Sequence, residues 1–286
     1  MTAGAPPLGG CKGGRCPPLM SSGLQRGAVP PFDVIARAFA GHGRRAALMP
    51  YLMGGYPDMD TSRASCAAAA DSGADLIELG VPFSDPLADG PVIHAAGTRA
   101  LAAGITPDDV LSVCESVASR IPVMLMVYAN VVLQAGLSAY AERAAAAGAA
   151  GLIVPDLPHD EAAELRECCD AWDLALVGLV APNTAGERLR AIGEDARGFV
   201  YAVSLTGTTG ERSELPPELP AMVERVRAAT PLPVAVGFGI SSAEHASAVA
   251  DLADGVIVGS RMVRAAGEGG AAGVGELVAE LARALE

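Results

Sequence analysis

From about residue 46 onward the chain alternates two kinds of block. Short runs are apolar at nearly every position: Ala46 to Met53, Leu76 to Leu79, Pro122 to Tyr128, Leu152 to Val154, Leu174 to Val180, Phe199 to Val203, Pro233 to Val236 and Val256 to Val258. Each has strand length and lacks the hydrophobic-in, polar-out alternation of a half-exposed sheet. That pattern predicts parallel strands, covered by helices on one face and packed on core at the other. Between them lie Ala-rich blocks with apolar residues at helical spacing, predicting helices over Thr61–Asp71, Ser138–Ala147, Glu161–Trp172, Ala185–Glu194, Glu218–Ala229 and Ala243–Ala250. Glycines at Gly73, Gly148 and Gly255 precede strands, where they are expected to supply left-handed helix ends.

Strand and helix alternating eight times over about 240 residues predict an α/β chain folded as a (β/α)8 TIM barrel. A doubly wound open sheet is the alternative, but Gly54-Gly55-Tyr56-Pro57 is not the G-x-G-x-x-G turn such sheets carry after their first strand. Residues 30–286 are expected to form this single domain. An additional N-terminal helix over Phe32–Ala40 would plug the barrel bottom, and Pro107–Arg120 would be an extra helix after the second strand. Residues 1–29, rich in Gly and Pro and without the apolar run of a secretory signal, are expected to be a disordered extension.

Barrel chemistry sits at the carboxyl ends of the strands. The second strand, Asp75-Leu76-Ile77-Glu78-Leu79-Gly80, places Glu78 on the interior face with Leu76 and turns Ile77 and Leu79 outward. No Lys or Arg lies between Arg63 and Arg99 to pair with it locally. An unpaired interior carboxylate raises its pKa, as proton transfer near neutrality requires. A structural Glu satisfied by loop amides or a distant cation fits the same residues. Asp89, eleven residues on in a Pro- and Gly-rich loop, could fold back beside Glu78 or simply form a surface turn. Asp85 and Asp156 share that ambiguity.

Three later strand ends are glycine-rich: Gly207 to Gly210, Gly237-Phe238-Gly239 and Val258-Gly259-Ser260. Glycine lets backbone N–H groups approach an anion closely, and barrels bind phosphate with the loops after their seventh and eighth strands. Such a site needs no lysine cluster, which matters here: the 286 residues carry 33 acidic against 20 basic side chains, a net charge of −13. That balance disfavours nucleic acid and anionic membrane surfaces as partners. No apolar run approaches the roughly 18 residues of a membrane helix. Six scattered cysteines and four isolated histidines show no zinc-ligand spacing, so no metal is expected and the thiols read as reduced, in a cytoplasmic protein.

The run from Glu78 to Pro91, with Tyr128-Ala129-Asn130, Asp156-Leu157-Pro158, Gly237 to Ile240 and Val258 to Ser260, resembles the tryptophan synthase alpha subunit family over about residues 30 to 285. The resemblance implies a lyase of tryptophan biosynthesis that cleaves indole-3-glycerol phosphate to indole and glyceraldehyde 3-phosphate by a retro-aldol step, without a cofactor in this chain. It implies Glu78 as general acid/base and Asp89 as the carboxylate that meets the indole N–H. It assigns Tyr201, Gly210, Gly239, Gly259 and Ser260 to the phosphate pocket, Tyr51, Tyr128, Ile153 and Phe238 to the indole pocket, and Thr209 to a closing loop. The implied partner is a pyridoxal-phosphate beta subunit in an alpha2beta2 heterotetramer, contacted around Asp85, Pro86, Asp156 and Pro158. A free-standing lyase and a non-catalytic activator of that partner are the alternatives. Many family members read Gly-Val-Thr-Gly where this chain has Gly207-Thr208-Thr209-Gly210.

Overall fold

The structure is a computed structural model that describes residues 31–203, 215–237, 239–240 and 242–286. The extension expected over residues 1–29 lies outside the described residues. Among the described residues, nine parallel strands form one sheet in the order β5-β4-β3-β2-β1-β9-β8-β7-β6. They are β1 (Ala47–Met53), β2 (Ile77–Gly80), β3 (Val123–Met126), β4 (Gly151–Ile153), β5 (Ala175–Leu176), β6 (Gly178–Val180), β7 (Val200–Val203), β8 (Val234–Gly237) and β9 (Gly255–Val258). The two ends of the list, β5 and β6, are halves of a single apolar run, Leu174 to Val180, interrupted only at Val177. The first half pairs with β4 and the second with β7, so the ring closes through that run. The expected eight-stranded TIM barrel is therefore present, with its fifth strand broken in two.

Alternation sorts the strand residues into two cores. Ala47, Met49, Leu76, Met124, Ile153, Ala175, Val177, Tyr201, Ala235 and Ile257 fill the interior. Leu48, Ile77, Leu79, Leu125, Leu152, Val236 and Val256 face outward to the helices. The first helix, α1 (Pro31–Ala40), closes the bottom as predicted: Ile35 is fully buried in the interior cluster, and Phe39 packs on Phe199 with ring centroids 5.5 Å apart. Two aspartates that lead into strands fasten the same end. Asp75 accepts the Leu48 N–H at 2.7 Å and pairs with Arg44; Asp254 accepts the Val234 N–H at 2.8 Å and pairs with Arg227.

The outer shell runs α2 (Met59–Asp71), α3 (Pro91–Ala102), α4 (Pro107–Val117), α5 (Ala129–Ala135), α6 (Leu137–Ala146), α7 (Ala163–Ala171), α8 (Gly186–Asp195), α9 (Leu219–Arg227), α10 (Ala243–Ala250) and α11 (Ser260–Ala284). Pattern reading missed α3, α5 and the long α11, whose Gly-rich stretch interrupts the apolar period and which bends at Gly270. Gly73 (φ 106°) and Gly148 (φ 79°) take the left-handed conformation expected of helix ends. Gly255 does not: it is required because a Cβ there would meet the Phe39 ring at 2.8 Å. Cys66, Cys114, Cys168 and Cys169 are buried on the helical shell outside any disulfide, and burial pushes Cys66, Cys114 and Cys169 up to about 12.

Close strand packing makes one substitution diagnostic. A Cβ at Gly151 of β4 would lie 2.3 Å from the Ala175 carbonyl oxygen of β5, which cannot rotate away. Gly151→Ala is expected to lower folding stability by about 2 kcal/mol, through overpacking at the seam where the ring closes. The midpoint of urea unfolding measures it; an unchanged midpoint would show that β4 and β5 are not held at this separation.

Candidate active site

The carboxyl ends of the strands surround a cavity of about 140 Å³, lined by Tyr51, Glu78, Ala88, Asp89, Ile93, Met126, Leu179, Tyr201, Val203, Gly239, Ile257, Gly259 and Ser260 among others. A larger cavity of about 480 Å³ lies at the opposite end, beside α1. The strand-end cavity is the one that follows from barrel topology, because the loops that vary chemistry converge there.

Glu78 reaches it from the centre of β2, between Tyr51 of β1 and Met124 of β3 in register. It points inward because Ile77 and Leu79 take the helix-facing positions. Its side chain is 0% exposed, and neither carboxyl oxygen has a hydrogen-bond partner. Burial, followed by the nearby Asp89 carboxylate, pushes its pKa up to about 8. Burial therefore favours the protonated acid towards neutral pH. Among the described residues, the carboxyl is neither satisfied by loop amides nor paired with a cation.

Asp89 arrives by the fold-back of the loop after β2. One residue fastens that loop at both ends: the ring of Tyr128 stacks on Phe83 with centroids 5.1 Å apart, and its hydroxyl donates to Asp89 Oδ1 at 2.9 Å while accepting the Ala88 N–H at 3.2 Å. Burial raises the Asp89 pKa, while the Tyr128 hydrogen bond and His94 oppose the rise. The two carboxyl groups thus differ in kind. One has no donor and keeps its proton; the other has a donor that favours the anion.

Two tyrosines frame the cavity across inward-facing glycines. Tyr51 lies over Gly80, where a Cβ would be 2.0 Å from its hydroxyl oxygen, and Tyr201 lies over Gly237, where the distance would be 2.6 Å. Gly239, Gly259 and Ser260 line the wall between the strands that carry these tyrosines, with Ser260 as the first residue of the 25-residue α11. Amides at a helix start favour an anion. Among the described residues, no Lys, Arg or His lines the cavity.

Placement of the remaining expected residues is mixed. Ile153 belongs to the interior cluster and is not among the residues that line the cavity. The apolar wall is instead built by Met126, Leu179, Val203 and Ile257, the last inward-facing residues of β3, β6, β7 and β9; the alternation that placed Glu78 could have found them. Asp85, Asp156 and Pro158 are exposed at the mouth and Pro86 is half-buried, beside Leu87, which is 85% exposed. Thr209, Gly210 and Phe238 lie outside the described residues. Among the described residues no group of three or more His, Cys, Asp or Glu is placed to hold a metal ion, and no helix is long and apolar enough to cross a membrane.

The family profile described as tryptophan synthase alpha chain matches residues 39–283. The tryptophan synthase alpha chain of Synechococcus elongatus is 48% identical over 245 residues, covering 85% of this chain and 92% of its own length. That of Roseiflexus castenholzii is 51% identical over 222 residues, covering 77% and 85%. A solved structure of Mycobacterium tuberculosis tryptophan synthase superposes with a TM-score of 0.81 at 43% identity, over 90% of this chain and 96% of that one. The tryptophan synthase subunit alpha of Legionella pneumophila gives 0.81 at 36%, over 90% and 99%.

The buried acid predicts a signed pH effect on stability. The unfolded chain releases the Glu78 proton near its usual value of 4.5, whereas the folded protein holds it to about 8. Folding stability from this group is therefore full below about pH 4.5 and is lost as pH rises towards 8. Glu78→Gln cannot ionise and escapes that loss. Between about pH 5 and about pH 8.5, the difference in unfolding free energy should shift in favour of the variant by on the order of 3 kcal/mol. Urea unfolding at the two pH values tests this, and a pH-independent difference would show that Glu78 is ionised in the folded protein.

Proposed function

Because the chain belongs to the tryptophan synthase alpha chain family, whose members cleave indole-3-glycerol phosphate, we propose that Glu78 and Asp89 divide that chemistry between them. The observation that carries the reading is the buried, partnerless Glu78 carboxyl facing a cavity that also holds an ionisable Asp89 with its own donor.

The reaction breaks the carbon–carbon bond between the indole ring and the glycerol phosphate side chain. Protonated Glu78 gives its proton to the ring carbon at that bond, which places positive charge on the ring nitrogen. Asp89, anionic, accepts the indole N–H and offsets that charge. The Glu78 carboxylate then takes the proton of the hydroxyl next to the breaking bond, so the bonding electrons pass to the ring and an aldehyde forms. One proton enters and one leaves, and Glu78 ends as it began. This makes the enzyme a carbon–carbon lyase acting by a retro-aldol step.

We assign Tyr51, Tyr128 and Phe238, with the apolar wall, to the indole ring, with Ile153 supporting that wall through Met126, its register partner. Tyr201, Gly210, Gly239, Gly259 and Ser260 bind or shape the pocket for the phosphate, and Thr209 belongs to the loop that covers the substrate, excluding water. The exposed mouth around Asp85, Pro86, Asp156 and Pro158 receives the beta subunit of an alpha2beta2 synthase. Pyridoxal phosphate belongs to that subunit and not to this chain. The enzyme is assigned to the cytoplasm, in keeping with its reduced, buried thiols.

The deciding experiment quantifies indole released from indole-3-glycerol phosphate by the purified chain, alone and with a beta subunit. Strong stimulation supports the heteromeric synthase; equal rates identify a free-standing lyase, and no indole in either case a non-catalytic activator. Glu78→Gln should lower indole release by about 10²-fold or more. Asp89→Asn should slow turnover while the phosphate ester still binds. Wild-type rates in Glu78→Gln would remove the proton-transfer role.

A further inference from the structure

Asp156 takes no part in the chemistry above, yet the structure ties it to the reacting end of the barrel. It is exposed in the segment after β4, bracketed by Pro155 and Pro158, and its Oδ1 accepts the backbone N–H of Ala129 at 2.8 Å. Ala129 opens α5, a helix of only seven residues that draws no side-chain cap from its own N-cap residue, Tyr128. Short helices depend on their ends, because the first N–H groups have no intrahelical acceptor. Asp156 supplies one such acceptor from a different strand's loop. The next link is Tyr128, whose backbone leads into α5, whose ring stacks on Phe83 and whose hydroxyl donates to Asp89 at 2.9 Å.

We infer that Asp156 is a positioning residue for Asp89, acting through the start of α5 and Tyr128. The inference rests on the reading of Asp89 as the carboxylate that meets the indole N–H. The flanking prolines restrict the backbone, so Asp156 is presented to Ala129 with little freedom to leave. Whatever engages the segment after β4 and draws Asp156 away releases the Ala129 amide and loosens the hydroxyl that holds Asp89. That segment is thereby a point of control over the same site, about two hydrogen bonds removed from it.

The test uses the full-length chain with Asp156→Ala, Asp156→Asn, Tyr128→Phe and the double variant Asp156→Ala with Tyr128→Phe. Asparagine keeps an oxygen that can accept the Ala129 N–H; alanine does not. Asp156→Ala should lower kcat about fivefold while KM changes by less than about twofold, and Asp156→Asn should stay within about twofold of the parent. In the Tyr128→Phe background, Asp156→Ala should cost less than about twofold more, because the link through which it acts is already gone.

A readout independent of turnover is the carboxyl titration of Asp89 by ¹³C NMR, which should move upward by about half a unit in Asp156→Ala as the Tyr128 donor loosens. The groups facing Asp89 are Glu78 on β2, His94 on α3, Tyr51 on β1, Tyr128 after β3 and Tyr201 on β7, and the substitution changes none of them. A moved titration with unchanged turnover upholds the positioning and removes the catalytic role of Asp89 instead. An unmoved titration overturns the positioning. So does a full-sized effect in the Tyr128→Phe background, or damage from Asn equal to that from Ala.

Discussion

A carboxylic acid sealed from water with no counter-charge sets the terms for everything around it. Ionising Glu78 in place is costly, so the folded protein holds its proton. A lysine or arginine in the same cavity would favour the anion and undo this. Among the described residues the cavity wall carries no cation, although the substrate of the family carries a phosphate. Backbone amides and a helix start are the remaining means of attracting an anion, and Gly239 and Gly259 lie at the ends of β8 and β9 beside the start of α11. Proton retention in the cavity and anion recognition by uncharged groups are thus two sides of one electrostatic requirement.

The barrel supplies the rigidity this requires. Glu78 is held between β1 and β3 by parallel register, while Asp89 sits on a loop that owes its shape largely to one aromatic residue. Tyr128 holds the start of that loop by stacking and its end by two hydrogen bonds. Space for the framing rings comes from what is missing: at Gly80 and Gly237 even a methyl group would collide with Tyr51 or Tyr201. A frame of this kind tolerates change in the outer helices far more readily than at these inward positions.

Much of this was legible in the sequence, for identifiable reasons. Period-two alternation fixed the face of Glu78, because Ile77 and Leu79 had to meet helices. The absence of a nearby cation forecast its raised pKa. Runs apolar on both faces forecast a covered parallel sheet. What stayed illegible depended on three-dimensional neighbours. Nothing in Leu174 to Val180 announces the break at Val177, which reflects the turn the ring takes between β4 and β7. Gly255 looked like a helix end and proved to be a place where Phe39 approaches. Ile153 resembled a pocket residue, yet it packs in the interior beside Met126, its register partner on β3, and does not line the cavity. The clasp formed by Tyr128 was invisible because it joins positions about 40 residues apart through a loop whose path no local rule dictates.

The four buried cysteines give the protein an internal chronometer. Cys66 rides on α2, Cys114 on α4, and Cys168 and Cys169 on α7, so they mark separate sectors of the shell. Each thiol is shielded, so an alkylating reagent meets it only when its sector parts from the strands beneath. The order in which these sulfurs react therefore records which portion of the casing loosens first, with no foreign label introduced.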